Sequence, residues 1–286
     1  MITIRIAGGL GNQMFQYAVA RGLALKHNTT LQLDLSLFKE SVGYIHRYEL
    51  DQLTVSDYST PSGLAAARLY ILRHGTKRLA GAGMSLGAVY WEKEGDPSFD
   101  PDVLALPDGF FLNGYFQSEH YFTQIASTIR EEFQPRDSNV LQRVRNALTD
   151  VRRAGRPLVS VHVRRSNYLT VRADGSLVVP LQKTLDKMAR FDRADFLVFS
   201  DDMQWCRQNI TGENVRYSPF TSGIEDMAAM AHCDHHIIAN SSFSWWGAWL
   251  NPNPEKIVIA PANWNHPGSD GDGGHRDLCP PGWIKL

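Results

Sequence analysis

The chain has 286 residues, of which 43% are hydrophobic and 21% are charged, and its formal net charge is −1. At about 150 residues per domain, this length predicts one or two domains. The composition excludes a disordered chain, a collagen-like repeat and a small disulfide-stabilised scaffold. The balanced charge argues against nucleic acid as a partner, because proteins that bind it carry a basic surface.

Cysteine spacing and the first residues indicate the compartment. Cys206, Cys233 and Cys279 stand far apart, in a pattern that fits neither a zinc site nor a disulfide framework. This predicts a reducing compartment. The N-terminal residues lack the basic start and apolar stretch of a signal peptide, and no apolar run approaches the roughly 18 residues of a membrane span. We therefore expect a cytoplasmic protein with at most peripheral contact to the inner membrane.

The first elements along the chain are predicted to be strand, glycine turn, helix and strand. Isoleucines alternate with other residues over 2–6, glycines follow within 8–11, and apolar residues then recur at helical spacing before a second strand at 30–34. This pattern is a β-α-β opening. A third strand is predicted at 109–113, with a helix starting near Ser118.

A basic segment covers residues 58–91, which contain no acidic residue. Its charged residues are Arg68, Arg73, Lys77 and Arg78. These four charges scatter around a helical wheel, which favours a solvated helical insertion. The alternative is contact with an anionic membrane surface or an anionic acceptor.

Alternation of strand and helix restarts after residues 155–157, where Gly-Arg-Pro follows a predicted helix at 140–151. We place the domain boundary here, which gives domains 1–154 and 155–286. The predicted elements of the second block are strands at 158–163, 196–200, 236–239 and 256–260 and helices near 180–190, 203, 223–233 and 242–250. Alternation in two blocks predicts two Rossmann-like parallel α/β layers with a cleft between them.

The glycine turn matches part of a dinucleotide-binding fingerprint. Glycines at 9 and 11 begin the pattern, and Asp34 follows where a ribose-binding acid would lie. The third glycine is replaced by Met14, whose side chain hinders close packing of helix on strand. We therefore expect no NAD site, but a helix N-terminus that presents the amides of Asn12 and Gln13.

An arginine pair follows the first strand of the second block. In the run 159–165, three valines share one strand face. His162 and Arg164 share the other face, and Arg165 begins the following loop. The carboxyl ends of parallel strands are where such sheets bind ligands. Two guanidinium groups at this place suit a pyrophosphate, and ordinary surface charge is the alternative.

Two further strand ends carry polar side chains. The strand at 236–239 runs into Asn-Ser-Ser at 240–242 and an aromatic helix, so hydroxyl groups meet a helix N-terminus. That arrangement binds phosphate, and ordinary capping is the alternative. At the other strand end, Asp201 and Asp202 suit a metal, a ribose or a guanine edge, or simply cap the next helix. The histidines and cysteine within 232–236 resemble metal ligands only by composition, so no metal site is predicted.

Five segments together resemble the bacterial α-1,2-fucosyltransferases. In the order and at the spacing of that family, they are GGLGNQMFQYA (8–18), GYFQSEHYF (114–122), HVRRSNY (162–168), FSDD (199–202) and ANSSFSWWGAWL (239–250). The resemblance implies two GT-B-like domains facing a cleft. It implies an inverting enzyme that transfers L-fucose from GDP-fucose to the 2-hydroxyl of a galactoside, without a metal or other cofactor.

The implied acceptor is a galactose-containing oligosaccharide or a lipid-linked precursor of a bacterial surface glycan such as O-antigen. Two alternatives stay open. One is the same architecture with another nucleotide-sugar donor, and the other is a non-catalytic protein that binds nucleotide sugars or glycans.

The resemblance also implies roles for single residues. Arg164 contacts the pyrophosphate and neutralises the leaving GDP. Arg165 supports it, and Asn12 lies at the reaction centre. The other residues implied to contact the donor are His162, Asp201 or Asp202 near the guanine, and Ser241, Ser242 and Phe243 at the serine turn.

Asn167 departs from the family pattern, which has Asp at this position of H-x-R-R-x-D. An amide cannot act as a general base. Asn167 stays among the catalytic candidates, with two alternatives open. If the family Asp positions the donor or Arg165, Asn167 replaces it by hydrogen bonding; if that Asp removes the acceptor proton, this chain needs another base or a weaker requirement for one. An oxocarbenium-like transition state with late proton loss to the departing phosphate lowers the need for a base, and the sequence identifies none.

Overall fold

The computed structural model separates the chain into two compact units. The described residues are 1–40, 46–64, 66, 67, 69, 85, 86, 88–93, 98–165, 169, 179–262, 264 and 277–286. The first unit comprises residues 1–134 with 268–280, and the second comprises 135–267 with 281–286. Each unit is an α/β structure with a largely parallel sheet, as the sequence predicts.

The sheet of the first unit has five strands. They are β1 (Ile2–Arg5), β2 (Leu31–Asp34), β3 (Ser85–Leu86), β4 (Val89–Trp91) and β5 (Phe111–Asn113). Their order across the sheet is β2-β1-β5-β4-β3, and all pairs are parallel except β3–β4. Because β2 and β5 lie on opposite sides of β1, the carboxyl ends of β1 and β5 flank a topological switch point.

The helices of this unit confirm the β-α-β opening. They are α1 (Leu10–Lys26), α2 (Ser36–Glu40), α3 (Pro101–Ala105) and α4 (Ala126–Glu132), with 3-10 turns at Leu50–Gln52, Glu119–Tyr121 and Thr123–Ile125. The helix expected from Ser118 is instead two 3-10 turns that precede α4, and Ser118 caps the first of them. Strands β3 and β4 replace part of the helical insertion expected at 58–91, whose four basic residues lie outside the described residues.

The sheet of the second unit is wholly parallel over the described residues. Its strands are β6 (Leu158–Val163), β7 (Asp195–Ser200), β8 (Val215–Tyr217), β9 (His235–Ile237), β10 (Val258–Ala260) and β11 (Ile284–Lys285). Their order is β11-β10-β9-β6-β7-β8. The chain builds outward from β6 to β8 and then returns to the other side of β6 as β9. The switch point therefore lies between the carboxyl ends of β6 and β9, where open α/β sheets bind ligands.

The second unit starts earlier in the chain than the sequence predicts, because its first helix packs on another helix of the same unit. Its helices are α5 (Ser138–Val151), α6 (Leu181–Met188), α7 (Met203–Asn209), α8 (Gly223–Ala231) and α9 (Ser242–Leu250). The buried stripe of α5 consists of Val140, Val144 and Leu148, and α5 packs on α8. The second unit thus begins near Pro135, not at the expected boundary, and the Gly-Arg-Pro break at 155–157 is the turn between α5 and β6.

The aromatic side chains of α9 belong largely to the core. Trp245 and Trp246 are fully buried, with ring centroids 4.9 Å apart in an edge-on arrangement. A Cβ at Gly247 would lie 2.8 Å from the Cβ of Met230, so α8 and α9 approach this closely only because residue 247 is a glycine. Among the described helices, none combines the length and the apolar character that a membrane crossing requires.

Candidate active site

His162 lies at the carboxyl end of β6, beside the switch point of the second sheet. The residue is 7% exposed, and its Nδ1 makes no hydrogen bond with any described residue. Burial, with a smaller effect from the charge of Arg164, lowers the pKa of His162 to about 3. The ring is therefore neutral at neutral pH. Its centroid is 5.8 Å from that of Phe243, and its Nδ1 is suited to hydrogen bonding with a ligand.

The two arginines after β6 have different surroundings. Arg164 Nη1 lies 3.4 Å from Asp201 Oδ2, and 26% of the arginine side chain is exposed. Arg165 Nε lies 3.3 Å from Asp202 Oδ2, and its guanidinium carbon stands 3.8 Å from the centre of the Trp205 ring. An ion pair and cation–π stacking together hold Arg165 in place. Arg164 is therefore the one suited to exchange its carboxylate for a phosphate.

The two carboxylates at the end of β7 organise this region. Asp202 Oδ1 accepts from Trp205 N at 3.1 Å and caps α7, so the capping alternative is confirmed for Asp202. Asp201 Oδ1 accepts from Arg165 N at 2.8 Å. Over the described part of the chain, no group of three or more His, Cys, Asp or Glu side chains is arranged to hold a metal ion.

The neighbouring histidines have separate structural partners. His236 is fully buried, its Nε2 accepts from Asn251 Nδ2 at 2.8 Å, and its Nδ1 lies 2.8 Å from Ser160 Oγ. Burial lowers the pKa of His236 to about 3. His235 Nδ1 accepts from Ile257 N at 3.1 Å. These hydrogen bonds give both histidines a structural role within the second unit.

The serine turn after β9 leads into α9. Ser241 is the N-cap residue, yet its side chain makes no capping hydrogen bond, although the residue is only 8% exposed. Ordinary capping therefore does not account for this hydroxyl. The first N–H groups of a helix lack intrahelical partners and carry the positive end of its dipole. Ser241, Ser242 and these N–H groups together suit a phosphate, and Phe243 lies beside them.

A cavity of about 10 Å³, the size that holds one water molecule, lies at the switch point. The residues that line it are His162, Val163, Arg164, Val179, Thr184, Lys187, Ile237, Ile238 and Ala239. Lys187 is 2% exposed and belongs to no motif. The sequence signal for it is that Lys187 and Met188 lie three and four residues after Thr184, and these three residues form the buried face of α6.

In the first unit, the glycine turn connects β1 to α1. Gly8 has φ +78°, and a Cβ there would lie 2.6 Å from Asn12 Nδ2, so the turn requires glycine. Asn12 Oδ1 accepts a hydrogen bond from Gln117 Nε2 at 2.8 Å, which fixes the orientation of its amide. Gln13 is fully buried and donates to the carbonyls of Gly8 and Arg47 at 2.8 Å. The expectation of a presented amide is therefore wrong for Gln13, while Asn12 is partly exposed.

Several residues that are predicted to bind the nucleotide sugar thus lie at the ends of neighbouring strands of the second sheet. His162 lies at the carboxyl end of β6 and Arg164 directly follows that strand. The serine turn follows β9, which pairs with β6. Asn167 lies outside the described residues, so its role stays a prediction.

Comparison with known proteins places these features in a family. The chain is 30% identical over 304 residues to an α-1,2-colitosyltransferase of Escherichia coli, covering 100% of this chain and 99% of the relative. It is 29% identical over 291 residues to the O-antigen biosynthesis glycosyltransferase WbnK of Escherichia coli, covering 91% and 93%. The galactoside 2-α-L-fucosyltransferase Sec1 of Mus musculus is 27% identical over 288 residues, covering 94% and 68%.

Among solved structures, NodZ α-1,6-fucosyltransferase soaked with GDP-fucose matches 88% of this chain and 92% of its own, with a TM-score of 0.49 and 17% identity. The family model Glycosyl transferase family 11 matches residues 95–286, about two thirds of the chain. That span includes the arginine pair, both carboxylates and the serine turn. The chain belongs to glycosyl transferase family 11.

Proposed function

We propose that this chain is an inverting galactoside α-1,2-fucosyltransferase. It transfers L-fucose from GDP-fucose to the 2-hydroxyl of a galactose unit in an oligosaccharide or a lipid-linked acceptor. The observation that carries the proposal is the switch point of the second sheet, where His162, Arg164 and the N-terminus of α9 lie at or just after the carboxyl ends of the adjacent strands β6 and β9. The family and the names of two α-1,2-transferase relatives support it.

The two units are those of a GT-B-like enzyme and take different parts in the reaction. The second unit binds the GDP-sugar, because it carries the cations and the helix N-terminus that suit a pyrophosphate. The first unit takes the acceptor and contributes Asn12 at the reaction centre. With a lipid-linked acceptor, the enzyme works at the cytoplasmic face of the inner membrane through peripheral contact.

Donor binding uses groups that are already oriented. A pyrophosphate oxygen replaces Asp201 beside Arg164, whose planar fork matches two phosphate oxygens. The hydroxyls of Ser241 and Ser242 and the first N–H groups of α9 donate to the same phosphates. The neutral ring of His162 hydrogen-bonds the nucleotide, and Phe243 packs beside it.

The transfer step breaks the bond between fucose C1 and the β-phosphate oxygen while galactose O2 bonds to the opposite face of C1. Negative charge develops on the departing GDP, and Arg164 stabilises it. The acceptor proton is lost late and passes by way of solvent to the departing phosphate. No carboxylate base is needed on this route, and Asn167 serves as a positioning group.

The proposed transfer reaction needs no metal ion. The charge that develops on GDP meets the Arg164 guanidinium and the positive end of the α9 dipole, which together do what a divalent cation does in other transferases. Asp201 and Asp202 serve instead as partners of the two arginines.

One observation favours a second donor. The relative that matches the whole chain at 30% identity is named a colitosyltransferase. Colitose is L-fucose without the 3-hydroxyl group, so both GDP-sugars present the same pyrophosphate to Arg164 and differ at one hydroxyl. The donor choice therefore depends on the sugar subsite, which the pyrophosphate contacts do not determine.

The test offers the purified chain GDP-fucose, GDP-colitose and UDP-galactose in parallel, with lactose as the galactoside. We expect one GDP released per fucose transferred, and NMR of the product should show fucose α-linked to the galactose 2-hydroxyl. Product from GDP-colitose alone would establish the second donor. Tight binding of GDP-fucose without any product or hydrolysis would identify a non-catalytic binding protein.

A further inference from the structure

A carboxylate outside the motifs fixes the chain next to the glycine turn. Glu92 directly follows β4, and the loop that begins at Gly114 follows β5. These strands are parallel, with Trp91 opposite Asn113, so both ends meet at one edge of the sheet. Glu92 Oε2 accepts from Tyr115 N at 2.6 Å, and Oε1 accepts from Phe116 N at 2.7 Å. One carboxylate thus holds two consecutive backbone N–H groups.

The held segment has an unusual conformation. Phe116 has φ +52°, in the left-handed region that a bulky non-glycine residue rarely adopts. Its side chain is fully buried and packs edge-on against Tyr121, with centroids 5.6 Å apart. A Cβ at Gly114 would lie 2.3 Å from the Cβ of Glu92. Because residue 114 is a glycine, Glu92 can approach the loop this closely. Its carboxylate then stabilises the left-handed backbone conformation of Phe116, which is unfavourable for a bulky residue.

The next residue makes the contact with the candidate site. Gln117 is 4% exposed, and its Nε2 donates to Asn12 Oδ1 at 2.8 Å. A second link runs through Gln16, which donates to the Gly114 carbonyl and accepts from Ala7 N, both at 2.9 Å. The loop after β5 is thus tied both to the turn before α1 and to the Asn12 side chain itself.

We infer that Glu92 is a positioning residue for Asn12, acting through the backbone of Phe116 and the amide of Gln117. The inference rests on the proposed role of Asn12 at the reaction centre. In Glu92→Gln, an NH₂ group replaces one carboxylate oxygen and cannot accept a hydrogen bond from a backbone N–H. The turn at Phe116 is then no longer held. Gln117 then no longer fixes the Asn12 amide.

The test compares Glu92→Gln, Asn12→Ala and the double variant in steady-state fucosyl transfer. A misplacement of about 1 Å costs up to ~100-fold in rate, so we expect Glu92→Gln to lower kcat by about 10- to 100-fold. The KM for GDP-fucose and the calorimetric Kd for GDP should stay within about twofold, because the donor residues lie in the other unit. In the Asn12→Ala background, Glu92→Gln should change kcat by less than about twofold, since linked residues are non-additive.

A matched control and a second variant keep the test decisive. Glu131→Gln makes the same substitution at an exposed site of the first unit and should leave kcat unchanged. If Glu92→Gln does not fold, Gln117→Ala removes the donor to Asn12 while leaving Glu92 and its backbone hydrogen bonds in place, and should show the same kcat loss and the same non-additivity.

The outcomes separate this inference from the proposed function. Normal turnover of folded Glu92→Gln, or additive losses in the double variant, overturns the inference alone. Normal turnover of Asn12→Ala overturns the inference together with the proposed role of Asn12, and leaves the proposed fucosyl transfer standing. Failure of the wild-type chain to transfer fucose overturns the proposed function, and the inference falls with it.

Discussion

Removal of Arg164 tests the proposed chemistry most directly. Arg164→Ala deletes the cation that faces the leaving GDP, and such a loss costs about 2.7–4 kcal/mol, or roughly 100- to 1,000-fold in rate. It also leaves the Asp201 carboxylate, now 3.4 Å from the guanidinium, directed at the same phosphate. Two unit charges ~4 Å apart interact by about 4 kcal/mol at an effective dielectric constant of 20, and solvent screening at this partly exposed site reduces that repulsion. We expect kcat to fall at least ~100-fold.

The assay measures GDP release at saturating donor, calorimetric GDP binding and thermal unfolding on the same preparations. Arg164→Lys keeps the charge but not the planar fork, so its loss should be intermediate. Arg207→Ala is the matched control, because this exposed arginine stacks on Tyr217 at 4.5 Å and lies outside the candidate site. Melting temperatures should change little, since a partly exposed ion pair contributes about 0–1 kcal/mol. Turnover of a folded Arg164→Ala protein within about threefold of wild type would refute the assignment of this residue to the transition state.

Three further predictions address the metal, the glycine turn and acid stability. Product formation should persist in EDTA, and complete loss restored by magnesium or manganese would show that Asp201 and Asp202 bind a metal. Gly8→Ala places a Cβ 2.6 Å from Asn12 Nδ2 at φ +78°, so the free energy of unfolding in urea should fall by about 1–3 kcal/mol; an unchanged midpoint would contradict the turn geometry. Burial lowers the pKa of His162 and of His236 to about 3, against ~6.5 in the unfolded chain. The unfolded state therefore binds more protons below pH 6.5, and the free energy of unfolding should drop by about 2 kcal/mol per histidine between pH 7 and pH 5. Urea unfolding at both pH values, with His236→Gln as comparison, checks this, and equal pH dependence of the two proteins would contradict it.

The elements with strong local patterns were predictable from the sequence. The bounds of β6 and α9 agree with the prediction. In β6, valines alternate with other residues between a Gly-Arg-Pro turn and an arginine pair. The helix α9 starts directly after Ser241, which occupies its N-cap position. Strands β3, β4, β8 and β11 have two or three residues each. Hydrogen bonding to the neighbouring strands defines these four strands. Each is too short for a hydrophobic period of two to be recognised in the sequence.

The division of roles within each motif depended on contacts that spacing does not reveal. Arg164 and Arg165 are adjacent, yet only Arg165 meets the Trp205 ring, which belongs to the helix after the next strand. Gln13 follows Asn12 directly but is buried, because residues 47 and 49 return to the turn and engage its amide. The link from Glu92 to the loop after β5 joins residues more than 20 positions apart. Such pairs are fixed by strand order, which the sequence pattern leaves undetermined.

Asn167→Asp separates the two roles that this position can play. The two side chains are nearly isosteric, so a positioning role predicts a change in kcat of less than about tenfold, or ~1.4 kcal/mol in the barrier. A general-base role predicts a much larger gain and a new acidic limb in the pH–rate profile, since a carboxylate must then be ionised to accept the acceptor proton. We expect the positioning role for two reasons. Arg164 stabilises the negative charge on the leaving GDP, and the acceptor proton, which is lost late, can pass to the departing phosphate. The measurement is kcat from pH 5 to pH 9 for both proteins, with Asn146→Asp on the exposed face of α5 as the matched control. A gain well above tenfold in Asn167→Asp, with an acidic limb that wild type and control lack, would establish a base at this position and remove the need for proton loss to the phosphate.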